Sequence, residues 1–311
     1  MPDALSPLLS RAATWFDRAA GAGWIDAAHR ARLDAVEHAT PADLFHEPAL
    51  RPLVVAFFGG TGVGKSSLLN RVAGQALART GVERPTSREV TVYLHEAVRL
   101  ADLPAHLPVE RTRVVRHGAD RWRDVAWLDA PDVDSVEQDN RALALAWLAH
   151  VDVVCYVVSP ERYRDDAGWR VLRRRQHRHG WLFVMNRSDE GDPAQADDFA
   201  RILREAGFEQ PTLVSTCCAE PVPAGALDEF DRLVETVVAL RSARGVEALE
   251  RVGLRARLAD LHDALRAAMS PLGSDAEWQR VQAAAVRAAD QAVETILAGT
   301  EYALRGLSLI H

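Results

Sequence analysis

Apolar residues recur at helical spacing over residues 6 to 20, with Leu8, Leu9, Ala12, Ala13, Trp15 and Phe16 on the repeat and Gly21-Ala22-Gly23 closing it. A second helix is predicted from Ile25 to His38. Thr40-Pro41-Ala42-Asp43 then reads as a cap with proline at the first helical position, opening a short turn through Phe45. From Leu53 the pattern changes to short apolar runs. Leu53 to Phe58, Val151 to Val158, Trp181 to Asn186 and Thr212 to Ser215 are nearly continuous, as expected of parallel strands buried on both faces. Val90 to His95 alternates as a strand with Thr112 to Val115 as its partner, and Asp124 to Asp132 is an apolar strand that runs through Asp129 into a tight polar turn.

Helices are predicted between these strands, over 65 to 77, 137 to 148, 166 to 178 and 194 to 206, the last ending at Gly207. The alternation predicts a doubly wound α/β sheet. The stretch 80 to 89 is polar and contains Pro85, and 99 to 110, with Pro104 and Pro108, reads as an insertion or a frayed short helix. Beyond Leu227 strands disappear, and Ala/Leu/Arg/Glu patterns predict helices over 226 to 241, 244 to 268 and 276 to 305, with Ser270-Pro271-Leu272-Gly273-Ser274 as a break. The expected organisation is an N-terminal helical extension over 1–50, an α/β domain over 51–242 and a C-terminal helical extension over 243–311.

Composition narrows this picture. The chain of 311 residues is 48% hydrophobic, enough for a sizeable core. Its net charge of −7 argues against a generally basic nucleic-acid coat and leaves a local basic face open; Arg170, Arg173, Arg174, Arg175, His177 and Arg178 form such a run, read first as a solvated helix face and second as an RNA or membrane contact. Cys155, Cys217 and Cys218 lack Cys-x-x-Cys spacing, which fits a reducing compartment, and no apolar run reaches 18 residues. The expected location is cytoplasmic.

Among the 37 Lys and Arg residues, Lys65 is the single lysine. It sits in Gly59-Gly60-Thr61-Gly62-Val63-Gly64-Lys65-Ser66, between a buried-strand pattern and the helix that begins Ser67-Leu68-Leu69. The spacing matches a P-loop, in which a glycine-rich turn points successive backbone N–H groups at the phosphates of a nucleotide. Lys65 would reach the β- and γ-phosphates and the Ser66 hydroxyl would ligate magnesium. A guanidinium is too wide and planar for the lysine's place, which explains a lysine in an arginine-rich chain.

The base is addressed by Asn186-Arg187-Ser188-Asp189, which follows a buried strand and resembles the Asn-Lys-x-Asp element of GTPases. A carboxylate at Asp189 accepts both N1–H and the exocyclic amine of guanine, a pair that adenine does not present. Arg187 stands where the family has lysine, and its stem can still lie against the base. With these elements the chain resembles the translation-factor-related P-loop GTPases, nearest to the Era-like and dynamin-like branches, over about residues 52 to 240. The resemblance implies a three-layer P-loop NTPase G domain with a mostly parallel sheet, bound GTP or GDP with Mg2+, and hydrolysis of GTP. It implies that Asp129 holds magnesium through a water, that Ser215-Thr216-Cys217 is the base loop with the Thr216 amide on guanine O6, and that Ser87 or Thr86 of the mobile loop ligates magnesium. Gly59, Gly60, Thr61, Gly62, Val63, Gly64 and Ser67 complete the phosphate cradle.

Three departures from the family pattern bear on mechanism. Asp132 replaces the glycine whose amide contacts the γ-phosphate, Val133 stands where Ras-like enzymes place a water-orienting glutamine, and Gly62 replaces the asparagine that binds potassium in some relatives. Arg84 or Arg88 could supply a charge in cis, or a partner in trans. The resemblance therefore implies a slow GTPase that switches a partner protein. Two alternatives stand beside it: a dynamin-like GTPase that dimerises through its nucleotide face or works at a membrane periphery, and a degenerate nucleotide-binding scaffold. Guanine nucleotide is the ligand in all three.

Overall fold

The computed structural model describes residues 5–77, 89–132, 138–165, 174–219, 221–272 and 276–308. Seven strands, β1 (Leu53–Gly59), β2 (Val90–His95), β3 (Thr112–His117), β4 (Val125–Asp129), β5 (Val153–Val158), β6 (Gly180–Asn186) and β7 (Thr212–Thr216), form one sheet in the order β3-β2-β4-β1-β5-β6-β7. Every neighbouring pair is parallel except β2 with β4. The α/β prediction with a mostly parallel sheet holds, and β2 and β3, parallel to each other, run opposite to the other five strands.

The alternate sides of β1 enter two separate cores, which is why the strand is buried at all seven positions. Val54, Ala56 and Phe58 pack with Leu143, Ala144 and Trp147 of α4 (Gln138–Leu148) and with Phe199 and Leu203 of α5 (Ala194–Glu205). Leu53, Val55 and Phe57 pack with Leu68, Leu69 and Val72 of α3 (Lys65–Ala73) and with Leu233, Val234 and Val237 of α6 (Phe230–Leu240). Helices thus cover both faces, completing three layers.

Several boundaries differ from the sequence pattern. Helix α3 stops at Ala73 rather than 77, because Gly74 takes a left-handed φ of 67° and its N–H closes onto Arg71 and Asn70. The apolar residue beyond it, Leu77, is buried nonetheless and donates its N–H to Asn70 Oδ1 at 2.8 Å. Helix α6 begins at Phe230 instead of 226, and α2 is shorter than expected, spanning Ala27–Asp34 behind an Asp26 cap. Thr40 opens only a short 3-10 turn, Pro41–Leu44, with Asp43 accepting the Thr40 N–H at 2.7 Å. Within 99–110, Leu100 bridges to Phe45 and Leu107 is buried, so this insertion is anchored on the core. The predicted helix over 166–178 falls largely outside the described residues.

At the amino ends of β1 and β5 a buried ion pair locks the sheet. Arg51 donates from Nη1 and Nη2 to Asp152 at 2.6 and 2.8 Å, and Asp152 also accepts the Val54 N–H at 2.8 Å. Burial pushes the Asp152 carboxyl up, and the Arg51 charge opposes that.

Two compact units partition the chain: residues 39–256, and residues 1–38 together with 257–311. In the second unit α1 (Ser6–Gly21) buries Leu9, Ala12, Phe16 and Ala19, a stripe at helical spacing. The remaining helices are α7 (Ala243–Met269), which crosses the boundary between the units, and α8 (Ala276–Ser308). Among the described residues no helix is long and apolar enough to cross a membrane.

Candidate functional site

Because β1, β4, β6 and β7 are mutually aligned by parallel pairing, their carboxyl ends bring Gly59, Asp129, Asn186 and Thr216 to one edge of the sheet. The strand order reverses at β1, so the loop after it opens into the crevice where ligands bind in open α/β sheets. That loop is Gly60 to Gly64.

Two glycines are sterically obligatory here. A Cβ on Gly59 would lie 2.2 Å from the Val157 carbonyl oxygen, and one on Gly64, whose φ is 93°, would lie 2.1 Å from Asn186 Nδ2. Gly62 also has a left-handed φ of 78°, with open space around it. Val63 is buried, fixing the loop on the core, while Ser67 lies half-buried in the first turn of α3.

Lys65 folds back over its own loop. Its ammonium is buried and donates to the carbonyls of Gly59 at 3.1 Å and Gly60 at 2.9 Å, and it forms an ion pair with Asp132. Beside it Ser66 Oγ donates to Asp129 Oδ2 at 2.5 Å. Burial raises the Asp129 carboxyl to about 6; the negative Asp132 adds to the rise, while Lys65 and the Ser66 hydroxyl pull against it. The second oxygen, Asp129 Oδ1, is buried with no hydrogen-bond partner among the described residues. An orphaned carboxylate oxygen next to a serine hydroxyl is a hard, oxygen-only donor set, and it fits magnesium.

On the other side of the loop Asn186, completely buried, donates from Nδ2 to the Val63 carbonyl at 2.8 Å and accepts from Thr216 Oγ1 at 2.9 Å and Cys218 Sγ at 3.3 Å. It is a tie between the phosphate loop and the loop after β7. Arg187 next to it has a φ of 58°, the one left-handed non-glycine residue among those described, and its half-exposed side chain pairs with Glu190 at 3.4 Å. The left-handed turn carries the chain into a short 3-10 turn, Ser188–Glu190, where Asp189 is exposed and accepts from Cys217 Sγ at 3.1 Å. Ser215 contributes backbone alone: its N–H donates to Glu229 Oε2 at 2.8 Å and its carbonyl accepts the Glu229 N–H at 2.7 Å.

The structure therefore gathers Gly59 to Ser66, Asp129, Asn186, Asp189, Ser215 and Thr216 at one end of the sheet. Thr86 and Ser87, expected on magnesium, lie outside the described residues, as do Val133, Arg84 and Arg88. Three contacts were not visible in the sequence. Arg71 on α3 donates to the Cys217 carbonyl at 2.7 Å and pairs with Asp228, holding the loop after β7. Arg162, in the loop after β5, donates to the Thr61 carbonyl at 2.8 Å and so places a guanidinium on the phosphate loop. Asp132 reaches Lys65. No local spacing signals any of these contacts; the Asp228-Glu229 pair ahead of α6 is the nearest thing to a sequence cue.

Residues 54–187 match the family described as 50S ribosome-binding GTPase. No curated protein matches the chain. Among solved structures, a member of an oligomerised bacterial dynamin pair that senses and tethers membranes is 12% identical with a TM-score of 0.50, over 97% of this chain and 50% of that one. Era bound to MgGDPNP and a 16S ribosomal RNA segment is 16% identical with a TM-score of 0.45, over 61% and 57%. Toc33 from Arabidopsis thaliana with Mg2+ and GMPPNP is 16% identical with a TM-score of 0.43, over 61% and 84%. The chain thus spans about half the length of the Era and dynamin chains it matches.

Proposed function

We propose, starting from the P-loop GTPase G domain in residues 54–187, that the protein binds GTP and GDP with magnesium, hydrolyses GTP slowly, and uses the nucleotide state to control a partner protein. The observation that carries this reading is the convergence, at one sheet edge, of the Lys65 ammonium, the Ser66–Asp129 pair with its orphaned oxygen, and Asp189 behind the Asn186 tie. Lys65 draws the phosphates into the loop, Ser66 and Asp129 would hold magnesium, and Asp189 accepts the two guanine donors. Magnesium, when bound, neutralises phosphate charge.

Slow hydrolysis is expected from the residue types that stand in place of the family's catalytic groups. Val133 has no group to orient water. Arg162 is already committed to the Thr61 carbonyl, so it stiffens the loop on which the phosphates rest. Thr86 or Ser87 would complete the magnesium sphere from the preceding loop, with the Thr216 amide on the base and the Arg187 stem against it.

Titration of the purified protein with labelled GDP, GTP and ATP, with and without magnesium, tests the reading. Guanine nucleotides should bind and Lys65→Ala should abolish binding, with single-turnover phosphate release slow but measurable. Preference for ATP overturns the guanine assignment, and GDP binding without any phosphate release leaves a nucleotide-binding scaffold.

A dynamin-like role is the second reading, favoured by one observation: the N-terminal helices and residues 257–311 share a compact unit separate from the sheet. Such a protein would be cytoplasmic, acting at the periphery of a membrane or as a dimer through the G domain. GTP-dependent co-sedimentation with liposomes, or GTP-dependent dimerisation, separates it from the first.

A further inference from the structure

We infer that the Asp132 carboxylate is a built-in stand-in for the terminal phosphate, so that the site holds GDP in preference to GTP; the inference rests on the guanine-nucleotide reading above. In this family pattern the residue after the β4 aspartate turn is glycine, which contributes an amide and nothing else. Asp132 keeps that amide and adds an anion.

The geometry shows where the anion goes. Lys65 has three acceptors: two are carbonyls of its own loop, Gly59 and Gly60, and the third is Asp132, brought from 67 positions along the chain. Both partners are buried, Lys65 to 5% exposure and Asp132 to 7%. A buried ammonium needs an anion, and here a carboxylate fills the role that phosphate oxygens fill when nucleotide is bound. The position is also specific, because Lys65 bridges the β- and γ-phosphates in the P-loop arrangement.

Diphosphate and triphosphate meet this carboxylate differently. GDP needs Lys65 on its β-phosphate and brings no charge to the turn after β4. GTP adds a γ-phosphate at that turn, where it must expel Asp132 from the ammonium and then tolerate a second anion beside it. Asp132 is thus a specificity-determining residue for phosphate number. It also holds the turn at Asp129-Ala130-Pro131-Asp132 against the phosphate loop until a γ-phosphate or a partner displaces it.

Affinities of the full chain for GDP and for a non-hydrolysable GTP analogue, measured with magnesium by calorimetry or fluorescent competition, test this. The wild type should bind GDP more tightly than the analogue. Asp132→Asn keeps the shape and removes the charge, and Asp132→Gly removes the side chain; each should raise the analogue-to-GDP affinity ratio by about tenfold or more. An unchanged ratio in both variants, or a ratio that falls because Asp132 supports the γ-phosphate, overturns the inference while leaving guanine binding intact. A wild type that binds neither guanine nucleotide overturns the guanine reading and this inference with it.

Discussion

The Arg71 guanidinium engages both carboxylate oxygens of Asp228, donates to the Cys217 carbonyl at 2.7 Å, and lies 4.1 Å from the centre of the Phe230 ring. The helix that starts at the phosphate loop is thereby bolted to the loop that follows β7. One guanidinium holds the helix after the glycine-rich loop and the loop after β7 in register.

This pair sets a pH dependence. Burial pushes the Asp228 carboxyl up, but the Arg71 fork, the Arg71 charge and the N–H groups of Cys217 and Phe230 outweigh it and hold the group below the usual aspartate range. A depressed folded value means stability that is present above the unfolded value, near pH ~4, and is lost as pH falls through the folded value. Asp228→Asn should cost roughly 1–3 kcal/mol at neutral pH, with the partial exposure of the pair to solvent favouring the low end. Urea unfolding across pH should show the gap to wild type closing below about pH 4. A gap that widens on acidification contradicts the assignment.

Gly64 and Gly62 both have left-handed backbones, and only Gly64 abuts a neighbour. Gly62→Ala should cost about 1–2 kcal/mol of backbone strain and fold normally. Gly64→Ala must also displace Asn186, breaking its bond to the Val63 carbonyl, so it should unfold several tenths of a molar earlier in urea and lose nucleotide binding. Equal effects at the two positions would mean that the Asn186 tie is unimportant.

Under the proposed function Asp189 would contribute specificity through two charge-assisted hydrogen bonds worth about 1.5–3 kcal/mol each. Asp189→Ala should weaken GDP by on the order of 10²-fold or more with no gain for ATP, read by competition against a fluorescent guanine nucleotide. Its exposure in the structure predicts a stability change within about 0.5 kcal/mol. A GDP affinity unchanged by the substitution would remove Asp189 from the base site.

Arg51 and Asp152, with side chains 1% and 2% exposed, lie at the end of the strands away from the phosphate loop. Arg51→Met strands a buried carboxylate and should destabilise the fold by about 3–5 kcal/mol. Adding Asp152→Asn, which neutralises the group and still accepts the Val54 N–H, should restore part of that loss. Thermal unfolding of the two variants measures it, and an equal or lower midpoint in the double variant would show that charge burial is not the cause.

Strand runs such as Val151 to Val158 were legible in the sequence because burial on both faces leaves no polar phase, and the two cores flanking β1 account for that. The phosphate loop was legible because its glycines answer local demands, a left-handed φ at Gly62 and Gly64 and close approach at Gly59. The stop of α3 at Gly74 could have been read from that glycine, but the apolar Leu77 beyond it extended the helical pattern. The reversed direction of β2 and β3, by contrast, leaves no mark on strands of six residues, since alternation is the same in either direction.

By itself the sequence determined the α/β alternation, the glycine-rich loop with its lone lysine, and the Asn186–Asp189 turn after a buried strand, all properties of segments whose φ, ψ and apolar phase are set by near neighbours. Only the tertiary structure decided that Lys65 meets Asp132, that Asn186 ties Val63 to Thr216, and that Arg71 grips Asp228. These contacts join residues 30 to 157 positions apart, and they exist because parallel pairing of β4, β1, β5, β6 and β7 brings the carboxyl ends of four of them to a single edge.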